Sequence, residues 1–353
     1  MIWPFKSRAP KTKTVNLALQ GGGAHGAFTW GVLDHLLADE RLEIGAVSGT
    51  SAGAVNAVML ADGLCRGGRA EAQKRLADFW RAASLDGKLP PLQRAVFDRL
   101  FSFLPFDNSP LTWFGPLSRY LSPYDVNPLN INPLKDVIER FVDFAAIRAC
   151  ESPRLFISAT NVHTGRLRVF PHDKITADVV MASTCLPLLF RAVEIDGVPY
   201  WDGGYMGNPS IFPLFRASEA EDIIVVQINP IERHTTPTSA HEIMNRINEI
   251  TFNSSLLAEY RAIDFVTRLI DQGHLQRGRG PGQYRRINVH RIALDDVFRK
   301  LTADSKLSSD FDFFEMLRDG GRRAARNFLD AHFDDIGKRS TLDLRAETRA
   351  ELA

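Results

Sequence analysis

The sequence predicts an α/β fold with a mainly parallel central sheet. Residues 14–20 (TVNLALQ) and 44–49 (IGAVSG) are short apolar runs that end at a glycine-rich turn, as buried strands do. Each run is followed by a segment with helical spacing of its apolar residues, FTWGVLDHLLA after the first and SAGAVNAVMLADG after the second. Strands that alternate with helices in this way pair in parallel through crossover connections.

The remaining elements continue this alternation within one domain. Gly63 is predicted to close the second helix near its C-terminus. Further strands are predicted at residues 154–162, 166–170, 192–204 (two strands), 222–230 and 285–294, and long helices at 239–271 and 311–333. The domain is predicted at residues 14–335, between a flexible segment at 1–13 and a charged, mobile tail at 336–353.

The composition argues against several classes of protein. The chain has 353 residues, of which 44% are hydrophobic and 24% charged, the proportions of a globular protein. Its formal net charge of +1 and the lack of a long basic run argue against a nucleic-acid partner. The sequence has no HExxH, EF-hand or phosphate-binding lysine motif, so we expect neither a metal nor an organic cofactor. The oligomeric state is not indicated.

The cysteines and the N-terminus indicate a cellular compartment. Cys65, Cys150 and Cys185 lack CxxC spacing, so free thiols in a reducing compartment are expected. The start, MIWPFKSRAPKTKTV, lacks the apolar core of a secretory signal, and no run approaches the roughly 18 apolar residues of a transmembrane helix. We therefore expect a cytoplasmic protein, with peripheral contact at the inner face of a membrane as an open alternative.

Residues 90–133 form an insertion rich in proline and aromatic residues. Between residues 92 and 104 the apolar side chains fall on one helical face, opposite the polar ones. This face either packs against the main core or forms a cover or membrane-touching element, and both interpretations stay open. Trp3 and Phe5, which precede several basic residues, leave a similar choice between a membrane anchor and a frayed terminus.

A serine flanked by glycines lies between the second strand and its helix. Gly49-Thr50-Ser51-Ala52-Gly53 fits the pattern G-x-S-x-G, in which a sharp turn projects the serine hydroxyl and the glycines allow close backbone approach. The free N–H groups and the dipole at the start of the following helix favour a developing oxyanion. The alternative is a small-residue turn that only packs the helix tightly on the sheet.

A run of glycines, GGGAHG at residues 21–26, follows the first strand. It also fits the dinucleotide-binding pattern G-x-G-x-x-G, which makes a Rossmann-type enzyme a competing hypothesis. That pattern expects an acidic residue at the end of the second strand, whereas this strand ends at Ser48-Gly49 and leads into the serine turn. The run instead offers backbone N–H groups that could hold an acyl oxyanion.

Asp202 is the candidate base for the serine. It stands in YWDGGYMGNP, after a strand and before two glycines, where a carboxylate can point at a neighbouring loop. The alternative role is that of a turn residue whose side chain bonds its own backbone. The nine histidines are scattered, and only His25 lies in a glycine-rich context.

Four motifs in this order resemble the patatin-like phospholipase family. They are the glycine run at 21–26, the elbow at 49–53, ASTCLP at 182–187, which is similar to the family's A-S-x-x-x-P segment, and Asp202-Gly203-Gly204, similar to its D-G-G/A block. The resemblance covers roughly residues 15–213. It implies a three-layer α/β/α sandwich with a nucleophile elbow after a core strand, and a Ser-Asp dyad without a catalytic histidine.

The resemblance also assigns roles residue by residue. It implies that Ser51 is the nucleophile, that Asp202 is its base and that backbone amides form an oxyanion hole. The implied oxyanion-hole residues are Gly21, Gly22, Gly23 and Ala52, and the motif-supporting residues are His25, Gly26, Gly49, Gly53, Gly203 and Gly204. Ser183 and Pro187 are expected only to cap a helix and turn the chain.

His25 departs from the family's pattern, which commonly has arginine or lysine at this position. A permanent charge beside the loop is thereby replaced by an imidazole whose unperturbed pKa is about 6.5. Either the site does not need the charge, or His25 contributes pH dependence or assists proton transfer, and both interpretations stay open.

The resemblance implies hydrolysis of lipid acyl esters through an acyl-serine intermediate. An acyltransferase or transacylase, or an intracellular polyester depolymerase, would use the same dyad, and a noncatalytic lipid-binding protein could retain the fold. The expected partner is a lipid or another acyl-ester substrate. The head group, the acyl chain length and the position of the ester are not indicated by the sequence.

Overall fold

The computed structural model describes residues 12–84, 122–127, 130, 132–187, 189–294 and 310–349. These ranges include every predicted strand and both long predicted helices. The amphipathic face predicted between residues 92 and 104 lies outside them, as do Trp3 and Phe5.

One mixed sheet organises the described residues. Its strands are β1 (Lys13–Leu19), β2 (Leu42–Gly49), β3 (Arg154–Asn161), β4 (Leu167–Pro171), β5 (Val193–Ile195), β6 (Val198–Asp202), β7 (Asp222–Gln227) and β8 (Asn288–Ala293). Hydrogen-bonded neighbours follow the path β5-β6-β3-β2-β1-β7-β8, and β4 also pairs with β3. The pairs β1–β2, β1–β7, β2–β3 and β7–β8 are parallel, whereas β3–β4, β3–β6 and β5–β6 are antiparallel. The predicted strands and the mainly parallel sheet are confirmed.

Helices cover both faces of this sheet. They are α1 (Gly26–Ala38), α2 (Ala52–Ala83), α3 (Pro123–Val126), α4 (Pro133–Phe141), α5 (Phe144–Ala149), α6 (Ala177–Ser183), α7 (Ala240–Asp271), α8 (Phe311–His332) and α9 (Leu344–Glu347). Successive strand residues point to opposite faces. In β1, Leu17 and Leu19 join the core formed with α1, α2 and α8, whereas Ala18 joins a second core formed with α7. The result is the predicted three-layer α/β/α sandwich.

The helices α1 and α8 cross at two glycines. A Cβ on Gly31 would overlap the Arg318 carbonyl, and one on Gly321 would overlap the Phe28 carbonyl. The two backbones therefore approach more closely than any larger residue would allow. Because α1 begins at the last residue of the glycine run, this crossing also fixes the position of α1 behind that run.

The end of the second helix was predicted wrongly. α2 continues past Gly63 to Ala83 and is broken at Gly68, whose φ is 75°. A Cβ on Gly63 would overlap the backbone of Ala72, so this glycine permits a close approach between the two halves of α2. The same residue type serves helix ends and tight helix crossings, and the local sequence does not distinguish them.

Residues 336–349 differ from the mobile tail expected from their charge. Ile336 and Leu344 are buried, at 1% and 7% exposure, and Leu344 belongs to the core on the α7 side of the sheet. The N–H groups of Thr341 and Leu342 both approach the carbonyl of Val289 at 3.2 Å. A few apolar residues between the charges therefore hold this segment along the sheet.

The expectation of three free thiols was also wrong. Cys65 in α2 and Cys150 after α5 form a disulfide, with their Cα atoms 5.9 Å apart, and Cys185 is the buried free cysteine of the described residues. The two paired residues are separated by 85 positions, so their spacing carries no motif. Only the packing of α2 against α5 brings them together.

Mass spectrometry of the unreduced protein tests this disulfide. After unfolding without reductant and treatment with iodoacetamide, we expect one alkylated cysteine, and three after reduction. Reduction should also lower the melting temperature, because a crosslink of this kind typically contributes about 2–4 kcal/mol. The Cys65→Ser/Cys150→Ser variant should melt like the reduced protein. Three alkylated cysteines before reduction would contradict the pairing.

Candidate active site

The site forms where two strands meet end to end. β2 pairs with the first half of β3 up to Gly49↔Ile157, and β6 pairs with the second half from Ala159↔Asp202. Because β4 occupies the other edge of β3 at both positions, β2 and β6 share one edge. β6 runs antiparallel to β3, so its last residue, Asp202, faces the end of β2. The serine turn after β2 and the aspartate therefore become neighbours.

Ser51 occupies a strained turn between β2 and α2. Its φ of 54° and ψ of −123° lie in a region that residues other than glycine rarely adopt. A Cβ on Gly49 would lie 2.6 Å from the Gly53 carbonyl oxygen, and one on Gly53 would overlap the Leu19 carbonyl, so the flanking glycines permit the turn. Ser51 is partly exposed, whereas Thr50 beside it is buried. The serine thus stands at the opening of an otherwise buried turn.

Asp202 is a fully buried carboxyl beside this turn. Its Oδ1 accepts a hydrogen bond from the Gly204 N–H at 2.7 Å, whereas Oδ2 makes no hydrogen bond of standard geometry with the described residues. Burial raises the pKa of Asp202 to about 7, and the Gly204 N–H and the Ser51 hydroxyl oppose this rise only in part. The Ser51 hydroxyl is therefore close to the carboxyl without a standard hydrogen bond. Such contacts often tighten only when a substrate binds.

The glycine run lies against the serine turn. A Cβ on Gly21 would lie 2.6 Å from the Cβ of Ser51, so the two loops are in contact. The N–H groups of Gly22, Gly23 and Ala52 have no protein acceptor among the described residues. Gly23 and Ala52 are also partly exposed. These three amides therefore have the capacity to donate to a ligand.

Buried amide side chains hold the start of the glycine run. The Gly21 N–H donates to Oδ1 of Asn208 at 2.6 Å, and its carbonyl accepts from Nδ2 of Asn229 at 2.7 Å. Nε2 of Gln20 donates to Oδ1 of Asn253 at 2.8 Å. The occupied Gly21 N–H corrects the prediction that Gly21 is an oxyanion donor.

These amide side chains were absent from the predicted site. Each acts through a contact between distant parts of the chain, which the sequence does not reveal. Of these residues, only Asn208 could have been inferred from the sequence, because it lies near Asp202 in the segment YWDGGYMGNP.

Ser183 ends α6 and contacts the serine turn. Its buried Oγ accepts a hydrogen bond from the Ser51 N–H at 2.9 Å. The sequence placed Ser183 at a helix end, which is confirmed, but gave it no contact with the backbone of Ser51. This hydrogen bond holds the turn, so we expect Ser183 to act as a positioning residue.

Two further motif glycines, Gly203 and Gly26, lie against the serine turn. A Cβ on Gly203 would overlap the Ser158 carbonyl, and one on Gly26 would lie 2.8 Å from the Cβ of Ala52, so both glycines allow close packing at the turn. His25 is buried, its ring lies 6.3 Å from that of Phe313, and it lines a cavity of about 170 Å³ at the ends of β7 and β8. Both interpretations of His25, a site that does not need the charge and a contribution to pH dependence or proton transfer, stay predictions.

Among the described residues, no group of three or more His, Cys, Asp or Glu side chains has an arrangement that could hold a metal ion. None of the helices in the same ranges combines the length and the apolar character needed to cross a bilayer.

Comparison with protein families places the chain in a known group. The model of the patatin-like phospholipase family matches residues 17–215, which is more than half of the chain. The chain belongs to the patatin-like phospholipase family. The predicted patatin fold is thereby confirmed, and the protein is an enzyme of the esterase and phospholipase class that acts on lipids.

Solved structures of low sequence identity align with much of the chain. VipD from Legionella pneumophila is 17% identical with a TM-score of 0.42, over 92% of this chain and 68% of VipD. The type III effector ExoU is 14% identical with a TM-score of 0.37, over 91% of this chain and 54% of ExoU. The ExoU–SpcU complex of Pseudomonas aeruginosa gives 19% identity and a TM-score of 0.30, over 69% and 51%. No curated protein matches.

Replacing Ser183 tests its role as a positioning residue. In Ser183→Ala the Ser51 N–H loses its acceptor, which costs about 1–3 kcal/mol for a buried donor. We expect kcat on a soluble ester to fall about tenfold to a hundredfold with little change in KM. The matched control is Thr184→Ala, because the Thr184 hydroxyl bonds only carbonyls of its own helix, at 3.2 Å. Equal kcat values for the two variants would contradict the assignment.

Proposed function

We propose that this protein hydrolyses carboxylic esters of lipids through an acyl-serine intermediate on Ser51, with Asp202 as the base. The observation that carries the proposal is the pairing of a partly exposed serine on a strained turn with a fully buried carboxyl of raised pKa. Strain at a non-glycine residue and a perturbed pKa both concentrate at catalytic sites.

In the proposed acylation step, the Ser51 oxygen attacks the ester carbonyl as its proton passes to Asp202. The carbon–oxygen bond to the leaving alcohol then breaks, and Asp202 returns the proton to the departing oxygen. Water attacks the acyl-serine in the second step, with Asp202 accepting its proton. The bond between the acyl carbon and the Ser51 oxygen then breaks, Asp202 returns the proton to that oxygen, and the carboxylic acid leaves. Ser51 and Asp202 are regenerated, so no further reactant is needed.

The free Oδ2 of Asp202 supports its role as the base. Its partner oxygen is occupied by the Gly204 N–H, which orients the carboxyl and leaves one oxygen for the serine. An ordinary aspartate, with a pKa of about 3.9, would be a weak base, and a pKa of about 7 is better matched to proton transfer near neutral pH.

The N–H groups of Gly22, Gly23 and Ala52 support an oxyanion hole. They lie beside Ser51 without protein acceptors among the described residues, and Ala52 begins α2, where the helix dipole adds positive potential. Such donors stabilise the charge that develops on the carbonyl oxygen. Gly21 and the Ser51 N–H are excluded from this set, because each already donates to a side chain.

Labelling with a fluorophosphonate tests the nucleophile. Intact-mass analysis should show a single adduct on the parent protein, located on Ser51 by peptide mapping. Ser51→Ala should give no adduct, and Asp202→Asn should react far more slowly, because it lacks the base. Ser254→Ala is the control, because Ser254 is an exposed hydroxyl whose own bond stays within α7. An adduct that persists in Ser51→Ala would overturn the proposal.

The pH dependence tests the base. Only ionised Asp202 can accept the serine proton, so kcat/KM should rise about tenfold per pH unit below the pKa of about 7 and level off above it. Stopped assays with a soluble ester between pH 5 and pH 9 measure this profile. A plateau that already extends down to pH 5 would contradict the raised pKa.

The same pKa predicts that Asp202 lowers the stability of the folded protein at neutral pH. Burial raises the pKa of Asp202 in the folded state, so the folded state favours the protonated carboxyl. The contribution of Asp202 to the free energy of unfolding is therefore fully present below the unfolded pKa of about 4 and is lost as the pH rises through about 7. Asp202→Asn removes this loss, so at pH 8 its free energy of unfolding should exceed that of the parent by on the order of a few kcal/mol, and it should melt at a higher temperature. The difference should shrink at pH 4.5. A difference that is independent of pH would contradict the assignment.

A further inference from the structure

The helix α7 has one buried face and one exposed apolar face. The buried face follows a spacing of three and four residues and comprises Glu249, Asn253, Leu256, Tyr260 and Ile263. The opposite face exposes large apolar side chains, Ile243 at 42%, Ile247 at 49%, Ile250 at 54% and Phe265 at 55%. With 3.6 residues per turn, these four lie within a sector of about 60°. A surface helix normally carries polar residues there.

A cationic groove continues this apolar face. It has a volume of about 690 Å³ between α7 and α9 and is lined by four arginines, two aspartates and Phe265; the charged residues are Arg261, Arg268, Arg345, Arg349, Asp264 and Asp343. Asp264 pairs with Arg268 at 3.0 Å, and Asp343 caps α9. No ion pair joins Arg261, Arg345 or Arg349 to a carboxylate among the described residues. The groove is therefore net positive.

We infer that the outer face of α7, made of Ile243, Ile247, Ile250, Phe265 and the arginine groove, docks on a lipid bilayer that carries anionic head groups. Exposed apolar side chains on a helix beside basic residues match a bilayer surface, where apolar groups enter the acyl boundary and guanidinium groups meet phosphates. A net positive groove on the same helix face as the isoleucines favours an anionic surface over a neutral one. The inference rests on the proposed function, since a bilayer supplies its lipid substrate.

The inner face of the same helix contacts the segments on either side of the candidate active site. Oδ1 of Asn253 accepts from Gln20 beside the glycine run, and the Phe252 ring packs on Tyr205 with ring centroids 5.5 Å apart. Docking through the outer face would thus hold the site about one helix diameter, 10–12 Å, from the lipid surface. The helix would link the membrane to the catalytic loop directly.

Co-sedimentation with vesicles tests this surface separately from catalysis. The Ser51→Ala protein is used throughout, so the lipid is not consumed and binding does not depend on the reaction. One set of vesicles is phosphatidylcholine alone, and the other contains phosphatidylglycerol as well. We expect stronger partitioning into the anionic set. In Ile247→Glu/Ile250→Glu, the partition coefficient should fall about tenfold or more, because two apolar side chains no longer enter the bilayer.

A variant of the groove arginines and control variants on α8 complete the vesicle experiment. Arg261→Gln/Arg345→Gln should lower binding to the anionic vesicles about tenfold and leave binding to pure phosphatidylcholine unchanged. Two control variants, Met316→Glu and Arg323→Gln/Arg326→Gln, make changes of the same kinds at exposed positions on α8. This helix lies on the other side of the sheet, so both controls should bind like the parent. Circular dichroism and melting temperature confirm that each variant is folded.

Three results would overturn the inference. They are no binding of the parent to anionic vesicles, an equal loss in the α8 controls, and dissociation of a dimer by Ile247→Glu/Ile250→Glu with vesicle binding unchanged. The last result, measured by light scattering, would assign the face to a second copy of the chain. Failure of fluorophosphonate labelling would instead overturn the proposed function and leave the vesicle measurement valid.

Discussion

The active site depends on one edge of β3 that two strands share. β2 ends on this edge at Gly49, and β6 ends on it at Asp202, coming from the opposite direction. If β2 continued along β3, it would occupy the positions that β6 takes. The early end of β2 and the antiparallel direction of β6 together bring a serine from the first part of the domain to an aspartate from the second.

Both partners are held in states that cost free energy. A non-glycine residue at the φ of Ser51 costs on the order of 1–3 kcal/mol, and an ionised carboxyl is disfavoured where water is excluded. Such states persist where neighbouring contacts leave no alternative. Thr50 donates to the Gly207 carbonyl at 2.6 Å, and Ser183 accepts from the Ser51 N–H, so the turn is tied to the segments on both sides of Asp202. The contacts that stabilise the fold here also hold Ser51 and Asp202 close together.

Local patterns predicted the fold and the proposed pair of Ser51 and Asp202, whereas contacts between distant segments were missed. Alternating strands and helices gave the sheet, and short motifs gave Ser51 and Asp202, because each requirement is met within a few residues. The Cys65–Cys150 pair and the Asn208 contact with Gly21 depend on how elements pack, so no local pattern records them. Gly63 shows a second limit, because the same residue fits a helix end and a close approach between two segments.

The first half of α7 reverses the usual arrangement of a surface helix. Buried Glu249 is paired with Arg233 at 2.7 Å and buried Asn253 bonds Gln20, while Ile247 and Ile250 face outward. A helix that only completed the fold would place isoleucine inside and carboxylate outside, because that arrangement buries more apolar area. The inward polar groups are explained by the glycine run and the adjacent loop that they hold. The outward isoleucines have no such partner within the described residues, and departures from local rules of this kind concentrate at functional surfaces.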